Sequence, residues 1–134
     1  MNLKYKAKKI FIFDAAHFLP NYPGKCANMH GHTYKLEVAI SRTDGGIISG
    51  GFSNGMVLDF SEFNKMVKAA VLDKVDHRLL NDVFSFQATS ENIAGYFFEV
   101  LIEVCNGYNL KLENLVLWES QTSCIEVSEA DHKG

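Results

Sequence analysis

Positions 30, 32, 34, 36, 38 and 40 of the chain read His, His, Tyr, Leu, Val and Ile. From Thr33 to Ile40 polar and apolar residues alternate, which predicts a half-buried strand. Side chains two apart leave a strand on the same side, so a strand extended back to His30 carries both histidines on the face of Leu36, Val38 and Ile40. The core-facing row of this strand would then end in two imidazoles. A third, His17, stands at or just past the end of another predicted strand, Ile10-Phe11-Ile12-Phe13-Asp14-Ala15-Ala16. Three of the five histidines thus fall within sixteen residues. Three neutral imidazoles around an open fourth position form the donor set of a catalytic zinc. By ligand type alone, iron, nickel or copper would also suit it.

The remaining sequence fits one domain over residues 1–134. At 47% hydrophobic and 22% charged, the chain can bury a core. A net charge of -3 without a Lys/Arg cluster argues against nucleic acid as a partner. No apolar run reaches the roughly 18 residues that span a bilayer, and Met1 to Tyr5 lacks a signal-peptide apolar region. A cytoplasmic protein without membrane contact is the expectation. Cys26, Cys105 and Cys124 are odd in number and irregular in spacing, a poor disulfide framework that fits reduced thiols.

Between the two strands, Phe18 to Met29 holds both prolines and predicts a loop leading into the histidines. Asp44 to Gly55 contains five of the ten glycines and reads as the turn of a long hairpin, with Met56 to Phe60 returning as a strand. It lacks the lysine and spacing of a phosphate-binding loop. Ser61 is positioned to cap a helix from Glu62 to about Leu72, with Phe63, Met66, Val67, Ala70 and Val71 as its apolar stripe. Asp73 to Gln87 is a connection. Thr89 or Ser90 caps a second helix, largely buried, that stops at Gly107. Leu115 to Glu119 and Ser123 to Val127 predict a final hairpin. The polar tail from Ser128, which contains His132, is expected to fray and to leave that histidine in solvent. The expected class is α+β, an antiparallel sheet with two helices on one face. The other sheet face and its edges favour oligomerisation.

Four further groups can carry chemistry. Cys26 is a fourth metal ligand, a free thiol serving as proton-transfer base or nucleophile, or a small loop residue. Asp76 and His77 are adjacent, and a carboxylate can hold an imidazole's tautomer, although neighbouring side chains often point apart. Glu119 is a strand-end charge or an anchor that accepts two N–H bonds from a guanidine-like ring edge. Cys105 and Cys124, on the buried helix and in a strand, read as structural.

Several motifs recur together: Phe13-Asp14-Ala15-Ala16-His17, Cys26-x-x-x-His30-Gly31-His32, Met56-Val57-Leu58-Asp59-Phe60, Asp76-His77-x-x-Leu80-Asn81, Thr89-Ser90-Glu91-Asn92 and Trp118-Glu119-Ser120. In that order the chain resembles the 6-pyruvoyltetrahydropterin synthase / 6-carboxytetrahydropterin synthase family over nearly its whole length. The resemblance implies the tunnelling fold, in which ββααββ subunits assemble into barrels as homo-oligomers, hexamers or tetramers, with active sites between subunits. It implies that His17, His30 and His32 bind one zinc per subunit. Cys26, Asp76 and His77 would be the proton-transfer set. Glu119 would hold the pterin ring, with Thr89, Ser90 and Glu91 near it. The three residues between Cys26 and His30 resemble the bacterial carboxy-forming enzymes of queuosine (7-deazaguanine) biosynthesis, which act on 7,8-dihydroneopterin triphosphate. The pyruvoyl-forming enzymes typically have a longer insertion. A non-catalytic zinc module and a pterin-binding protein without activity are the readings from other functional classes.

Overall fold

In the computed structural model, which describes residues 1–131, one sheet carries the molecule. β1 (Ala7–His17) and β2 (His30–Arg42) form a long antiparallel ladder. The first helix, Phe60–Val67, continues through a π-helical turn, Lys68–Leu72, and a last turn, Asp73–Val75. A two-residue strand, β3 (Arg78–Leu79), and a short helix, Leu80–Val83, lead to the long helix Ser90–Asn106. β4 (Leu110–Trp118) and β5 (Cys124–Val127) close the chain. The sheet order is β3-β1-β2-β4-β5, antiparallel except for the short parallel pairing of β3 with β1 at Ala15 and Ala16. This is the α+β arrangement expected, with the small parallel strand added.

Periodicity explains where the core sits. Phe11, Phe13 and Ala15 of β1 and Tyr34, Leu36, Val38 and Ile40 of β2 are buried, while Ile10 and Ile12 on the opposite face are more than half exposed. Against the buried face lie Phe63, Met66 and Val67 of the first helix and Ile93, Phe97 and Leu101 of the long one. Phe13 stacks on Tyr34 at 4.8 Å and meets Phe97 edge-on at 6.0 Å, tying both strands to the long helix. The other sheet face carries no covering element among the described residues.

Four boundaries differ from the sequence reading. Met56–Phe60 is not a strand. Its polar backbone is satisfied locally, with Ile48 N–H donating to Met56 O at 2.7 Å and Met56 N–H to Ser53 O at 3.0 Å. Gly50, Gly51 and Gly55 have φ between 77° and 84° there, so the glycine-rich segment folds back on itself rather than framing a hairpin. The first helix starts at Phe60, because the Asp59 carboxylate, not the Ser61 hydroxyl, accepts from the Ser61 and Glu62 N–H groups. β4 begins at Leu110, five residues before the strand predicted at Leu115. A register shift between Ala39 and Ile40 places Ala39 opposite Asn114 and Ile40 opposite Leu112. Glu113 is the extra residue, and this irregularity breaks the alternation that would reveal the strand. β5 runs from Cys124, one residue later than predicted. Thr89 does cap the long helix, through Asn92 N–H, and the helix ends at Asn106 as predicted. His132 lies outside the described residues.

Candidate metal centre and its surroundings

The ladder register alone brings the histidines together. His17 is paired directly with His30, and Ala15 with His32, so three imidazoles leave the core face at one end of two adjacent strands. Their ring centroids are 4.6, 4.8 and 5.1 Å apart. His17 is 2% exposed; His30 and His32 are half-buried at the mouth.

Backbone carbonyls orient two of the rings. His17 Nδ1 is 2.7 Å from Ala88 O, and His30 Nδ1 is 2.7 Å from Asn28 O. A carbonyl can only accept, so each Nδ1 carries the proton and each Nε2 keeps its lone pair free for a metal. The Nε2 atoms of His17 and His32 are buried without a hydrogen-bond partner. Two orphaned buried nitrogens in one small space cost several kcal/mol unless something occupies it, on the order of 1–3 kcal/mol each. A divalent cation removes that cost. The donor set fits zinc.

Glu119 joins the group. Its Oε1 lies 3.0 Å from His32 Nε2 and 3.8 Å from His17 Nε2, and the four candidate ligand atoms all fall within 4.8 Å of one another. Its Oε2 accepts the Ser90 hydroxyl at 2.5 Å. The 87 residues from His32 to Glu119 hide this proximity in the sequence; β4 running beside β2, with Trp118 opposite Lys35, produces it. Ser90, Glu91 and Glu119 also line a small cavity of about 100 Å³ with Ser123 and Cys124. Thr89, which caps the same helix, adjoins it in sequence.

Burial holds the His32 pKa below its ordinary value of 6.5, aided by the neighbouring His17 and His30 and opposed by the Glu119 charge. Burial, and then the Glu119 charge, raises the Tyr34 hydroxyl above its usual range, so it stays protonated. That hydroxyl has no hydrogen-bond partner either, and its ring sits 5.6 Å from His32 and 6.2 Å from His17. Tyr34 is a site residue that the sequence reading missed; its place in the same strand row as His30 and His32 is the signal that points to it. For the metal-free protein the sign follows directly. Folding depresses the His32 pKa, so the unfolded chain binds more protons as pH falls through 6.5. Stability of the chelated protein is expected to decline as pH drops from that value through the lower folded one. Urea unfolding between about pH 5 and 8 checks it; stability that rises on acidification in this window would contradict it.

Asp76 and His77 do meet, with His77 Nδ1 2.9 Å from Asp76 Oδ1. Asp14, to which the sequence assigned no role, is the third member of the cluster. Its N–H donates to Asp76 Oδ1 at 3.1 Å, and its carbonyl accepts His77 N–H at 2.6 Å. Thr33 Oγ1 donates to the Asp14 carboxylate. His77 has φ of 60°, an uncommon conformation for a non-glycine residue, fixed by that bond. Strand parity separates this cluster from the histidines. Asp14 and Thr33 face away from the core, whereas His17, His30 and His32 face toward it. Asp14, Thr33, His77 and Arg78 line an open cleft of about 520 Å³ that His32 borders.

Cys26 sits half-buried in the 3₁₀ turn Lys25–Ala27, and its carbonyl accepts Leu19 N–H at 2.6 Å. Its sulfur is not part of the group of four candidate ligand atoms, which takes its carboxylate oxygen from Glu119. Cys105 is buried and its pKa is pushed up to about 11 by desolvation, an inert core thiol. Cys124, predicted to be structural, is exposed at the rim of the 100 Å³ cavity. No helix among the described residues is long and apolar enough to cross a membrane.

Comparisons with known proteins agree with this architecture. The sequence model of the family "6-pyruvoyl tetrahydropterin synthase" matches residues 6–130. The chain is 35% identical to the 6-carboxy-5,6,7,8-tetrahydropterin synthase of Haemophilus influenzae, over 93% of this chain and 99% of that one. It is 38% identical to the enzyme of the same name from Synechocystis, over 71% and 73% of the two chains. The solved structure of Caenorhabditis elegans 6-pyruvoyl tetrahydropterin synthase superposes with a TM-score of 0.76 at 29% identity, covering 94% of this chain and 96% of that one. A match along nearly the full length, in sequence and in fold, means that the chain belongs to the 6-pyruvoyl tetrahydropterin synthase family of pterin synthases.

Proposed function

We propose that the protein is a zinc-dependent 6-carboxy-5,6,7,8-tetrahydropterin synthase. It would convert 7,8-dihydroneopterin triphosphate, with water, to 6-carboxytetrahydropterin, acetaldehyde and triphosphate. The observation that carries the reading is the convergence of His17, His30 and His32 with two unpartnered Nε2 atoms. The Haemophilus and Synechocystis relatives, both named for the carboxy product, support the choice of reaction. So does the three-residue spacing between Cys26 and His30. Queuosine (7-deazaguanine) biosynthesis in the cytoplasm is the corresponding cellular role.

His17, His30 and His32 would hold the zinc, which when bound acts as a Lewis acid toward the hydroxyls of the substrate side chain. Cys26 takes a proton from a side-chain carbon. His77, with its tautomer held by Asp76, carries a proton at the opposite face. Glu119 accepts N–H bonds from the pterin ring, with Thr89, Ser90 and Glu91 beside it. A cavity of about 100 Å³ is smaller than the roughly 300 Å³ from which ligand pockets ordinarily start, so one subunit alone encloses too little of a pterin. The Asp76–His77 pair faces away from the subunit's own histidines. Both features favour an assembly, a hexamer or tetramer, in which His77 serves a neighbouring subunit's site. Lys25, Lys35 and Arg78 are the candidates for holding the triphosphate; Arg78 lines the cleft next to His77, which favours it over Lys35, whose ammonium lies over the Trp118 ring at 4.7 Å.

Incubation with dihydroneopterin triphosphate, followed by mass spectrometry, tests the reading. A 6-carboxy product with one acetaldehyde per turnover is expected. The C. elegans neighbour, a 6-pyruvoyl synthase, marks the competing outcome. A pyruvoyl product without acetaldehyde would replace the proposed reaction with triphosphate elimination alone.

A further inference from the structure

The free edge of β1 is occupied by the Asp76–His77 pair. At Asp14 the main-chain N–H donates to Asp76 Oδ1 at 3.1 Å and the carbonyl accepts the His77 N–H at 2.6 Å, one residue before the parallel pairing with β3 begins at Ala15. The same Asp76 oxygen lies 2.9 Å from His77 Nδ1, so ring, carboxylate and strand edge are joined at one atom. Because both main-chain polar groups of Asp14 point off the ladder, Asp14 and its cross-strand partner Thr33 form a non-hydrogen-bonded pair, the kind in which facing side chains come closest. Thr33 donates its hydroxyl across that short gap to the Asp14 carboxylate. A carboxylate oxygen of Asp14, one of Asp76 and a ring nitrogen of His77 then all lie within 4.8 Å of one another. Two carboxylates so close repel each other. Among the described residues Asp76 pairs with His77, and no lysine or arginine pairs with either carboxylate. The cluster therefore lacks a positive charge until the imidazole takes up a proton.

We propose that Asp14 is a positioning residue of the proton-carrying pair: its main chain sets Asp76 and His77 in place, and its carboxylate, held by Thr33, supplies a second negative charge beside the imidazole. This rests on the assignment of His77 as a proton carrier and deepens it. A proton taken from the substrate bonds to His77 Nε2, because Nδ1 already faces Asp76, and the electron pair it leaves stays on the substrate. No bond to Asp14 forms or breaks, and both carboxylates stay ionised. Their two charges stabilise the imidazolium while it holds the proton. The β1–β2 ladder thereby carries the metal donors on its core face and the support of the proton carrier on the other, with Thr33 next to His32 in the chain.

The test compares Asp14→Asn with the parent, both full length and zinc-loaded. One readout is release of triphosphate from 7,8-dihydroneopterin triphosphate, and the other is nitrogen-15 NMR of the histidine rings. Asparagine keeps the main-chain bonds and the side-chain shape and removes the charge. A kcat about 5-fold lower at unchanged KM is expected, the scale of one exposed charge pair. The difference should shrink at about 1 M salt, where the screening length falls to about 3 Å. In a His77→Gln background Asp14→Asn should cause no further loss, because its effect passes through the ring. Without substrate, at about pH 6, the His77 signals are identified by their absence from His77→Gln. They should show less imidazolium in Asp14→Asn than in the parent, since a negative charge beside the ring is gone. Asp76 and Arg78, the other charged groups of that cluster and its cleft, are the same in both proteins. An equal further loss in His77→Gln, or a loss that salt does not reduce, overturns the role of Asp14. Ring signals that match the parent's also overturn it. Triphosphate release is common to the carboxy- and pyruvoyl-forming reactions, so a pyruvoyl product would fail the reaction assigned above and leave this role standing. If no triphosphate is released, the ring signals decide the matter alone.

Discussion

His17→Ala is expected to abolish zinc loading and turnover together. His17 is the most deeply buried of the three histidines, and its Nε2 atom has no protein partner to lose. Removing a direct ligand exceeds the 10- to 100-fold loss that follows removal of a supporting residue around a metal. The fold also suffers. Ala88 O loses the Nδ1–H that satisfies it, which costs about 1–3 kcal/mol for a buried carbonyl. Stabilisation by bound metal vanishes as well, about 2.7 kcal/mol when free zinc stands at 100 times its dissociation constant. Linkage separates the two contributions. A chelator should lower the melting temperature of the parent protein and leave that of His17→Ala where it is, while the variant should melt below the chelated parent by the Ala88 and cavity costs alone. Elemental analysis showing one zinc per subunit in His17→Ala, with turnover retained, would remove the histidine cluster from the chemistry.

The histidines could be read from the sequence because strand parity is a local rule. His30 and His32 needed only the alternation of the eight residues after them, and His17 only the end of a β-branched and aromatic run. Long-range register was out of reach. Glu119 was legible as a carboxylate ending an apolar strand, but its approach to His32 depends on β4 pairing with β2, which local pattern does not encode. Asp14 shows the same limit from the other side. It is three residues before His17 on one strand, so parity already places it on the opposite face; its bond with Asp76 needed the chain to return beside β1. The error at Met56–Phe60 has a different cause. An apolar run looks the same whether its backbone pairs in a sheet or is satisfied by the glycine turn before it, as here, where Val57 and Leu58 pack on the core without entering the ladder. The helix cap was misread by two residues for a similar reason, since Asp59 and Ser61 are both competent caps and the geometry chose the carboxylate.

Cys26→Ala is expected to keep one zinc per subunit and to lose turnover by about 10²- to 10⁴-fold, the range for removing a positioned proton-transfer group. The sulfur stands outside the group of four candidate ligand atoms, so its loss leaves the metal donors in place. The turn that carries it is held by backbone bonds, Leu19 N–H to Cys26 O and Ala27 N–H to Gly24 O, which an alanine retains. Half-burial of a small side chain makes the packing loss minor. A pure proton-transfer role therefore predicts a specific dissociation of effects: normal zinc content, normal melting temperature, normal binding of the substrate, and a collapsed kcat. A structural thiol ligand predicts the reverse, with zinc lost and the fold weakened in the same variant. Replacement by serine sharpens the contrast. An alcohol is a far poorer base than a thiolate at neutral pH, so Cys26→Ser should be nearly as slow as Cys26→Ala. If Cys26→Ser instead turns over at the parent rate, the proton leaves the substrate through another group, and the Asp14–Asp76–His77 cluster becomes the place to look for it.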